Sequence, residues 1–562
     1  MKNKDYDVIV VGSGAGGGMS SYALTRAGLK VLMLEAGRDY DAVSETKMFD
    51  LPSSVPLRAT ATPDKPLGSF IPLEGGYDIS GEPYTVAKGS EFRWFRSKMM
   101  GGKTNIWGRI ALRFGPYDFK PYSRDGLGVD WPLSYEDIAP WYDKVERLIG
   151  VSGANHGLEN SPDSSPGVLQ PPPPLRANEY FLKRGFESLG IPVASMRAAI
   201  LTKPLNGRAA CFYATACGRG CSIRANFQST TVLIPPALET GNLDIRTHAV
   251  VYQVDVDKKG KATGVSFIDT LTGEHHSVKA KSVVLAASAY ESTRILLNSK
   301  NQLFPQGIGN EYGQVGRYLM DTPEGNNLAH FPALEKLPPR NDDGIGLHHM
   351  YVPWWGHKQQ VRGELNFSRG YHFQAGGWRS MPQMGISSKS QIPYGHDLRE
   401  DLRRKHGSYV YFHGLGEMIP NDKTYCEIDP DLKDKWGIPV LRFHWQWGEH
   451  AENQAEHMHK TCHELVDRLG GEIVTSFRGE NGSAISIKGG EGLHEVGGAR
   501  MGASPKQSVV NQFGQLWDIK NVFMMDGSVF ASNADKNPTL TILALAWRSS
   551  EYLIEEARRG NL

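Results

Sequence analysis

Three groups of residues in this chain could do chemistry. The first is Gly12-Ser13-Gly14-Ala15-Gly16-Gly17, with Glu35 eighteen positions after its last glycine. Gly12 permits a tight turn after a strand. Gly14 lets a pyrophosphate approach the backbone, and Gly17 lets a helix pack close to that strand. Glu35 stands where an acid can hold a ribose hydroxyl. The second group is Cys211, Cys217 and Cys221, spaced C-x5-C-x3-C on a loop that also holds Gly218 and Gly220. Three thiolates can share a soft metal cluster. Three ligands rather than four suit a 3Fe–4S cluster better than a closed zinc site. A disulfide with one spare thiol, or three unligated thiols, stays open. The third group is His494, inside Gly492-Leu493-His494-Glu495-Val496-Gly497-Gly498, with Asp526-Gly527-Ser528 and Asn537-Pro538-Thr539 after it. A histidine met singly is more often a satisfied polar residue than a catalytic one.

The elements that must position these groups are legible around them. Val8–Val11 is a short apolar run, Met19–Ala27 has helical character, and Val31–Leu34 is a second buried strand. Strand, glycine turn, helix, strand and acid thus fall in order within 35 residues, which raises a weak spacing to a dinucleotide site. A second such unit reads at Ser282–Ala287 followed by Ser292–Leu297. Met100-Gly101-Gly102-Lys103-Thr104-Asn105-Ile106-Trp107-Gly108 is a glycine-rich turn whose aromatic could lie against a flat ring. The prolines of 161–174 predict an extended, polyproline-like linker. Between about 340 and 480, stretches such as Tyr409-Val410-Tyr411-Phe412-His413 predict an antiparallel sheet with one face on a cavity. Its aromatics are expected to shape the pocket, although pattern assigns no contact to Trp354, Trp355 or Trp378. Ala451–Leu469 reads as a polar amphipathic helix. His459, Cys462 and His463 share one of its faces, which is expected to be solvated rather than metal-binding. Cys426 and Cys462 read as structural thiols. From Leu540 a closing helix is expected, apolar over Thr541–Trp547.

Composition narrows the class. Lys plus Arg number 62 against 61 Asp plus Glu, so nothing electrostatic argues for nucleic acid or an anionic membrane as main partner. Glycine, at 63 of 562 residues, exceeds the usual ~7%, as suits tight turns around a large cofactor. No apolar run reaches the ~18 residues of a membrane span. The N-terminal residues lead straight into a strand and do not read as a signal peptide. Five cysteines exclude a complete disulfide framework.

Taken in order, the four glycine-rich or polar motifs and Trp131-Pro132-Leu133-Ser134 resemble the glucose–methanol–choline (GMC) family of flavoprotein oxidoreductases over nearly the whole chain. The resemblance selects FAD as the dinucleotide. It implies an α/β fold, with a Rossmann-like FAD-binding domain (1–130, 205–330, 485–562) and a substrate domain built on an antiparallel sheet (131–204, 331–484). It implies that His494 and Asn537, 43 positions apart, are the catalytic pair. It also implies that Gly12, Gly14, Gly17, Glu35, Gly102, Asn105, Ile106, Val251, Asp526 and Asn537 bind the cofactor. A neutral imidazole can take the proton of an alcohol O–H while its C–H gives hydride to the flavin, and an amide can orient the same oxygen. Some relatives attach the flavin through a histidine just before the tryptophan of the second motif. Ile106 stands there, so FAD is expected to be non-covalent.

The cysteine spacing is similar to that of the large subunits of bacterial sugar and gluconate dehydrogenase complexes. That similarity implies a dehydrogenase oxidising a secondary hydroxyl of a pyranose or glycoside, and overall resemblance points first to glucoside 3-dehydrogenases. Electrons would leave through a 3Fe–4S cluster to a cytochrome-type acceptor. It also implies a small accessory subunit and co-export with it to the periplasm, a cytoplasmic location being the alternative. Other readings are an oxidase reducing O2, a lyase that keeps FAD structurally, and a redox-inert binding module.

Overall fold

The computed structural model describes residues 5–62, 65–213, 217–335, 337, 349–376, 394–405 and 407–562. Trp378 lies outside them.

The apolar runs Tyr6–Val11 and Val31–Leu34 form adjacent parallel strands buried on both faces. The four consecutive residues of Val, Ile, Leu and Met in each suit this position, because neither face meets water there. Tyr6–Val11 also pairs in parallel with the far half of His275–Leu285, which pairs in parallel with Val522–Met524. Leu243–Arg246 extends the other edge beyond Val31–Leu34. The near half of His275–Leu285 leaves this layer and joins Ala262–Asp269 and Ala249–Val256 antiparallel, completing a seven-stranded sheet. Helix Ala15–Arg26 packs between this sheet and the closing helix Thr539–Arg558. The first sheet unit, its repeat near 282–297 and the closing helix all follow the sequence expectation.

This topology brings distant residues to one place. The strands ending at Val11, Leu34, Leu285 and Met524 all run the same way, so Gly12, Glu35, Ala286 and Asp526 emerge at one sheet end. Ligands of open parallel sheets bind at the carboxyl ends of their strands.

A second sheet, antiparallel throughout, runs in the order Glu472–Ser476, Glu324–His330, Tyr409–Gly416, Tyr371–Gly376, Met350–Val352 and Ala194–Ser195. Glu324–His330 is a central strand of it, although the boundary expected at 330/331 put that segment with the first domain. Period-two alternation separates its two faces. Phe373, Ala375, Val410, Phe412 and Ala329 point into an apolar core shared with helices Ala177–Ser188 and Glu449–Arg468. Trp355 packs on Tyr371 and Phe373. Trp355, Phe373 and Phe412 therefore fill the core behind the sheet, whereas Tyr351 and Tyr411 lie on its other face. The opposite face is polar: Glu324, Asn326, His372 and Gln374 are buried there.

Helix Glu449–Arg468 also departs from expectation. His459 and Cys462 are buried, and only His463 is exposed. The helix covers the sheet with Ala455, Met458, Cys462, Leu465 and Val466, so its polar-looking sequence hides an apolar stripe. His459 is satisfied by Asn327 Oδ1 at 3.0 Å and the Ala484 carbonyl at 2.9 Å. Segment 161–174 lacks helix and strand, as expected, but it is tied down: Ser164 donates to Glu146 at 2.7 Å, and Val168 is buried. Among the described residues, no helix is long and apolar enough to cross a membrane.

Candidate active site

The glycines of the first motif are dictated by backbone crowding. Gly12 has φ +97°, and a Cβ there would lie 2.3 Å from the Ala286 carbonyl oxygen. A Cβ on Gly17 would lie 1.9 Å from the Gly12 carbonyl oxygen, so helix and turn could not close. Gly14 differs, because its nearest neighbour would be the Gly101 carbonyl oxygen at 4.0 Å. The fold itself does not need glycine at 14, which leaves close approach of a ligand as the reason for it.

The second motif docks on the first. The Gly101 N–H donates to Ser13 Oγ at 2.8 Å, and a Cβ on Gly102 would touch Gly14 Cα at 3.6 Å. Asn105 is fully buried and donates to the Met100 carbonyl at 2.7 Å. Ile106 follows the short turn Gly102–Asn105, and the Trp107 ring N–H donates to the Phe227 carbonyl at 3.1 Å. Glu35 accepts from Ser13 Oγ and from the Gly37 N–H at 2.8 Å, so it braces the glycine turn. Its burial raises its pKa. Val251 sits two residues beyond Ala249, whose N–H donates to the Glu35 carbonyl at 2.9 Å. Asp526 accepts from Ser292 Oγ at 2.5 Å and the Ser528 N–H at 2.9 Å, capping the turn Gly527–Val529. The first two motifs, Glu35 and Asp526 thus gather around one end of the first sheet.

His494 and Asn537, far apart in sequence, meet: Asn537 Nδ2 lies 3.1 Å from His494 Nε2. The other ring nitrogen lies 2.9 Å from Thr322 Oγ1. Asp321 holds the loop that carries the histidine. It is buried and accepts from the N–H groups of Gly492, His494 and Thr322 at 2.9–3.0 Å. Burial, with Glu495 close by, pushes its pKa up to about 8. Leu493, at φ 60°, takes the left-handed conformation just before the histidine, an uncommon place for a branched side chain. An amide N–H faces Nε2, so that nitrogen is the acceptor, and Nδ1–H points to Thr322. Desolvation lowers the pKa of His494 to about 4, so the ring is neutral, and its Nε2 lone pair meets the Asn537 amide.

The polar face of the second sheet forms the floor. Asn326, His413, Gln374 and Tyr351 stand directly opposite one another across four strands. His413 pairs with Glu324 at 3.0 Å, and Asn326 donates to the same carboxylate at 2.8 Å. Gln374 reaches Asn537 Oδ1 at 3.4 Å. Sequence reading missed Thr322, Asp321 and this whole row. The signal was present in Tyr371-His372-Phe373-Gln374-Ala375, where polar residues alternate with apolar ones.

The three cysteines line one small cavity, together with Met48, Ile200 and Ile223. The N–H groups of Tyr213 and Ala225 point at the sulfurs of Cys211 and Cys221, at 3.4 and 3.3 Å. Residues 214–216 lie outside the described residues. Among the described residues, no three ligating side chains converge closely enough to hold a metal ion as they stand. Two buried cations bear on the cavity. Among the described residues, Arg109 bonds to the carbonyls of Asn105 and Trp107, and Arg208 to those of Leu148 and Ile149. Arg109 Nε and Arg208 Nη1 are orphaned, and each guanidinium acts electrostatically on the cysteines. Buried cations with no carboxylate partner among the described residues favour an anionic group beside them.

Comparison with known proteins agrees with this geometry. Two models of the GMC oxidoreductase family match, over residues 6–324 and 420–546. The chain belongs to the GMC oxidoreductase family. It is an FAD-dependent oxidoreductase acting on CH–OH groups. It is 30% identical to 2-methyl-1,2-propanediol dehydrogenase of Mycolicibacterium austroafricanum, over 97% of this chain and 95% of that one. It is 28% identical to the fructose dehydrogenase large subunit of Gluconobacter japonicus, over 99% and 98%. Among solved structures, a formate oxidase of Aspergillus oryzae studied for modification of its FAD superposes with a TM-score of 0.65 at 14% identity, all of both chains being covered.

Two outcomes follow from the site. Gly14→Ala should keep the stability of the apoprotein yet weaken FAD binding by about tenfold or more. Gly17→Ala should cost the fold itself about 1–3 kcal/mol. Equal loss of stability in both, measured by thermal unfolding and flavin fluorescence, would contradict the assignment. The second concerns pH. With His494 as the base, which must be neutral, a pKa below the ordinary 6.5 means that flavin reduction should hold level between about pH 6 and 8. It should fall only as pH drops toward about 4. A protonation limb centred near 6.5 in stopped-flow traces would contradict this.

Proposed function

We propose that this GMC enzyme is a dehydrogenase that oxidises a secondary hydroxyl of a pyranose or glycoside, at C3 in the narrowest form of the reading, to a ketone. The observation that carries it is the polar floor. Glu324, His372, Gln374 and His413 bond largely to their neighbours, but Asn326 Oδ1 is buried with no partner among the described residues, where a simple aliphatic alcohol needs an apolar wall. A polyhydroxylated ring can answer such a row, and a buried polar group left unanswered costs about 1–3 kcal/mol. The similarity to a protein named for fructose supports the same class.

Bound FAD supplies the hydride acceptor. The residues of the chain manage the proton and the geometry. His494 Nε2 takes the hydroxyl proton as the C–H bond breaks, Nδ1–H leans on Thr322, and Asn537 Nδ2 donates to the same substrate oxygen. Gly12, Gly14, Gly17, Gly102, Asn105 and Asp526 surround the cofactor in this reading, with Glu35 bracing the turn and Val251 behind it. Ile106 offers no atom for a covalent bond to the flavin.

Cys211, Cys217 and Cys221 would hold a 3Fe–4S cluster, which would pass electrons singly to a partner. The shared cavity and the two buried arginines support this. An accessory subunit, with work in the periplasm beside it, belongs to the same proposal and stands on similarity to a protein named as a large subunit.

The test is an anaerobic screen of the purified enzyme with glucose, methyl glucosides, gluconate, fructose and 2-methyl-1,2-propanediol. A sugar or glycoside should bleach the flavin, with a ketone seen by NMR and iron and labile sulfide present in the protein. Bleaching by the diol alone would overturn the substrate class. Protein without iron that reduces O2 at full rate would establish an oxidase instead.

A further inference from the structure

Behind the catalytic pair lies a buried chain of polar groups that the reaction as described does not use. Lys536 is buried and bridges Asp118 at 2.9 Å and Asp535 at 2.7 Å. Asp535 Oδ2 lies 3.2 Å from Nδ1 of His372, which is fully buried. The other nitrogen of His372 lies 2.9 Å from Gln374 Nε2. Gln374 Nε2 then reaches Asn537 Oδ1 at 3.4 Å, the longest link, and Asn537 Nδ2 reaches His494 Nε2 at 3.1 Å. Thr322 ends the series on His494 Nδ1.

Each group in this series has a limited repertoire, and that gives the series a direction. An ionised carboxylate only accepts. The Asp535 carboxylate is held ionised by Lys536 and His372, which lower its pKa strongly. Nδ1 of the neutral His372 must therefore carry the hydrogen, and Nε2 can only accept. The amide atom facing it must be the NH2 of Gln374. With one hydrogen directed to His372, the other is left for Asn537, so Asn537 presents its oxygen to Gln374 and its NH2 to His494. His494 Nε2 must then be the bare nitrogen. Reversing any link would set two donors or two acceptors face to face in a dry interior, at a cost of about 1–3 kcal/mol.

We propose that Asp535, His372 and Gln374 are positioning residues that select the tautomer of His494, so that the nitrogen facing the substrate is the basic one. The proposal rests on His494 and Asn537 being the catalytic pair, but it is a statement about hydrogen positions and can be tested apart from turnover. Asp118 and Lys536 fix the anchor; Gln374 transmits its polarity across the gap between the second sheet and the Asn537 loop. Thr322 tolerates either tautomer, because a hydroxyl both donates and accepts, so the choice is made on the Asn537 side.

The experiment is nitrogen NMR of holoenzyme labelled with 15N-histidine at neutral pH, with His494→Gln identifying the resonance by its loss. Wild type should show His494 protonated at Nδ1 and bare at Nε2. Gln374→Glu places a second acceptor against Asn537 Oδ1, so the amide turns over and His494 becomes protonated at Nε2. Gln374→Leu removes the link with little change in size and should give a mixture of the two forms. Limiting flavin reduction should fall by about 10² in the first variant and about tenfold in the second, at unchanged FAD content. A His494 tautomer identical in wild type, Gln374→Glu and Gln374→Leu would overturn the proposal, even if His494→Ala were inactive. A reversed tautomer with undiminished flavin reduction would uphold the relay and overturn the catalytic reading instead.

Discussion

The contact between Asn537 Nδ2 and His494 Nε2 joins two loops beside the first sheet, and Gln374 ties that pair to the second sheet. His494 arrives on a loop gripped by Asp321, and Asn537 arrives just before the closing helix that packs against the first Rossmann helix. Neither residue can shift without disturbing the layer that carries the cofactor. The second sheet closes the site from the other side through Gln374, so substrate floor and cofactor cradle share one hydrogen-bonded seam. In the proposed reaction a buried, neutral imidazole is useful only while its basic nitrogen meets the substrate, and this seam would hold it there.

Burial has opposite consequences on the two faces of the antiparallel sheet. Behind it, Phe373 and Phe412 contribute about 1.5–3 kcal/mol each through area removed from water. In front, the polar side chains gain little net stability from their mutual hydrogen bonds, and each would cost more if left unmade. The apolar face therefore stabilises the sheet, and the polar face specifies what fits against it. The alternation along a single strand, His372 and Gln374 against Phe373 and Ala375, assigns both tasks to six residues.

Much of this was legible from the chain. The glycine turn, its two strands and the paired motifs announce themselves because backbone crowding restricts them to a few residue types, as at Gly12 and Gly17. Asp321, Thr322 and Gln374 gave no such signal, since their roles depend on partners more than 150 residues away. The aromatic stretches misled for a related reason. Alternation shows that Tyr411 and Phe412 face opposite ways, but not which of them meets the apolar core. Helix Glu449–Arg468 misled because its apolar stripe is narrow among charges, and contact with the sheet, not average polarity, buries His459 and Cys462. The spacing of the cysteines gave their common cavity, while the buried charges of Arg109 and Arg208 emerged only from packing.

The account stands most directly on His494 as the group that takes the substrate proton. The decisive measurement is the limiting rate of flavin reduction in His494→Ala, followed anaerobically by rapid mixing with the sugar that bleaches the wild-type flavin. FAD content should be unchanged, because the side chain braces no cofactor loop, and the rate should fall by about 10² or more. A variant that binds FAD normally and is reduced at the wild-type rate would contradict the account.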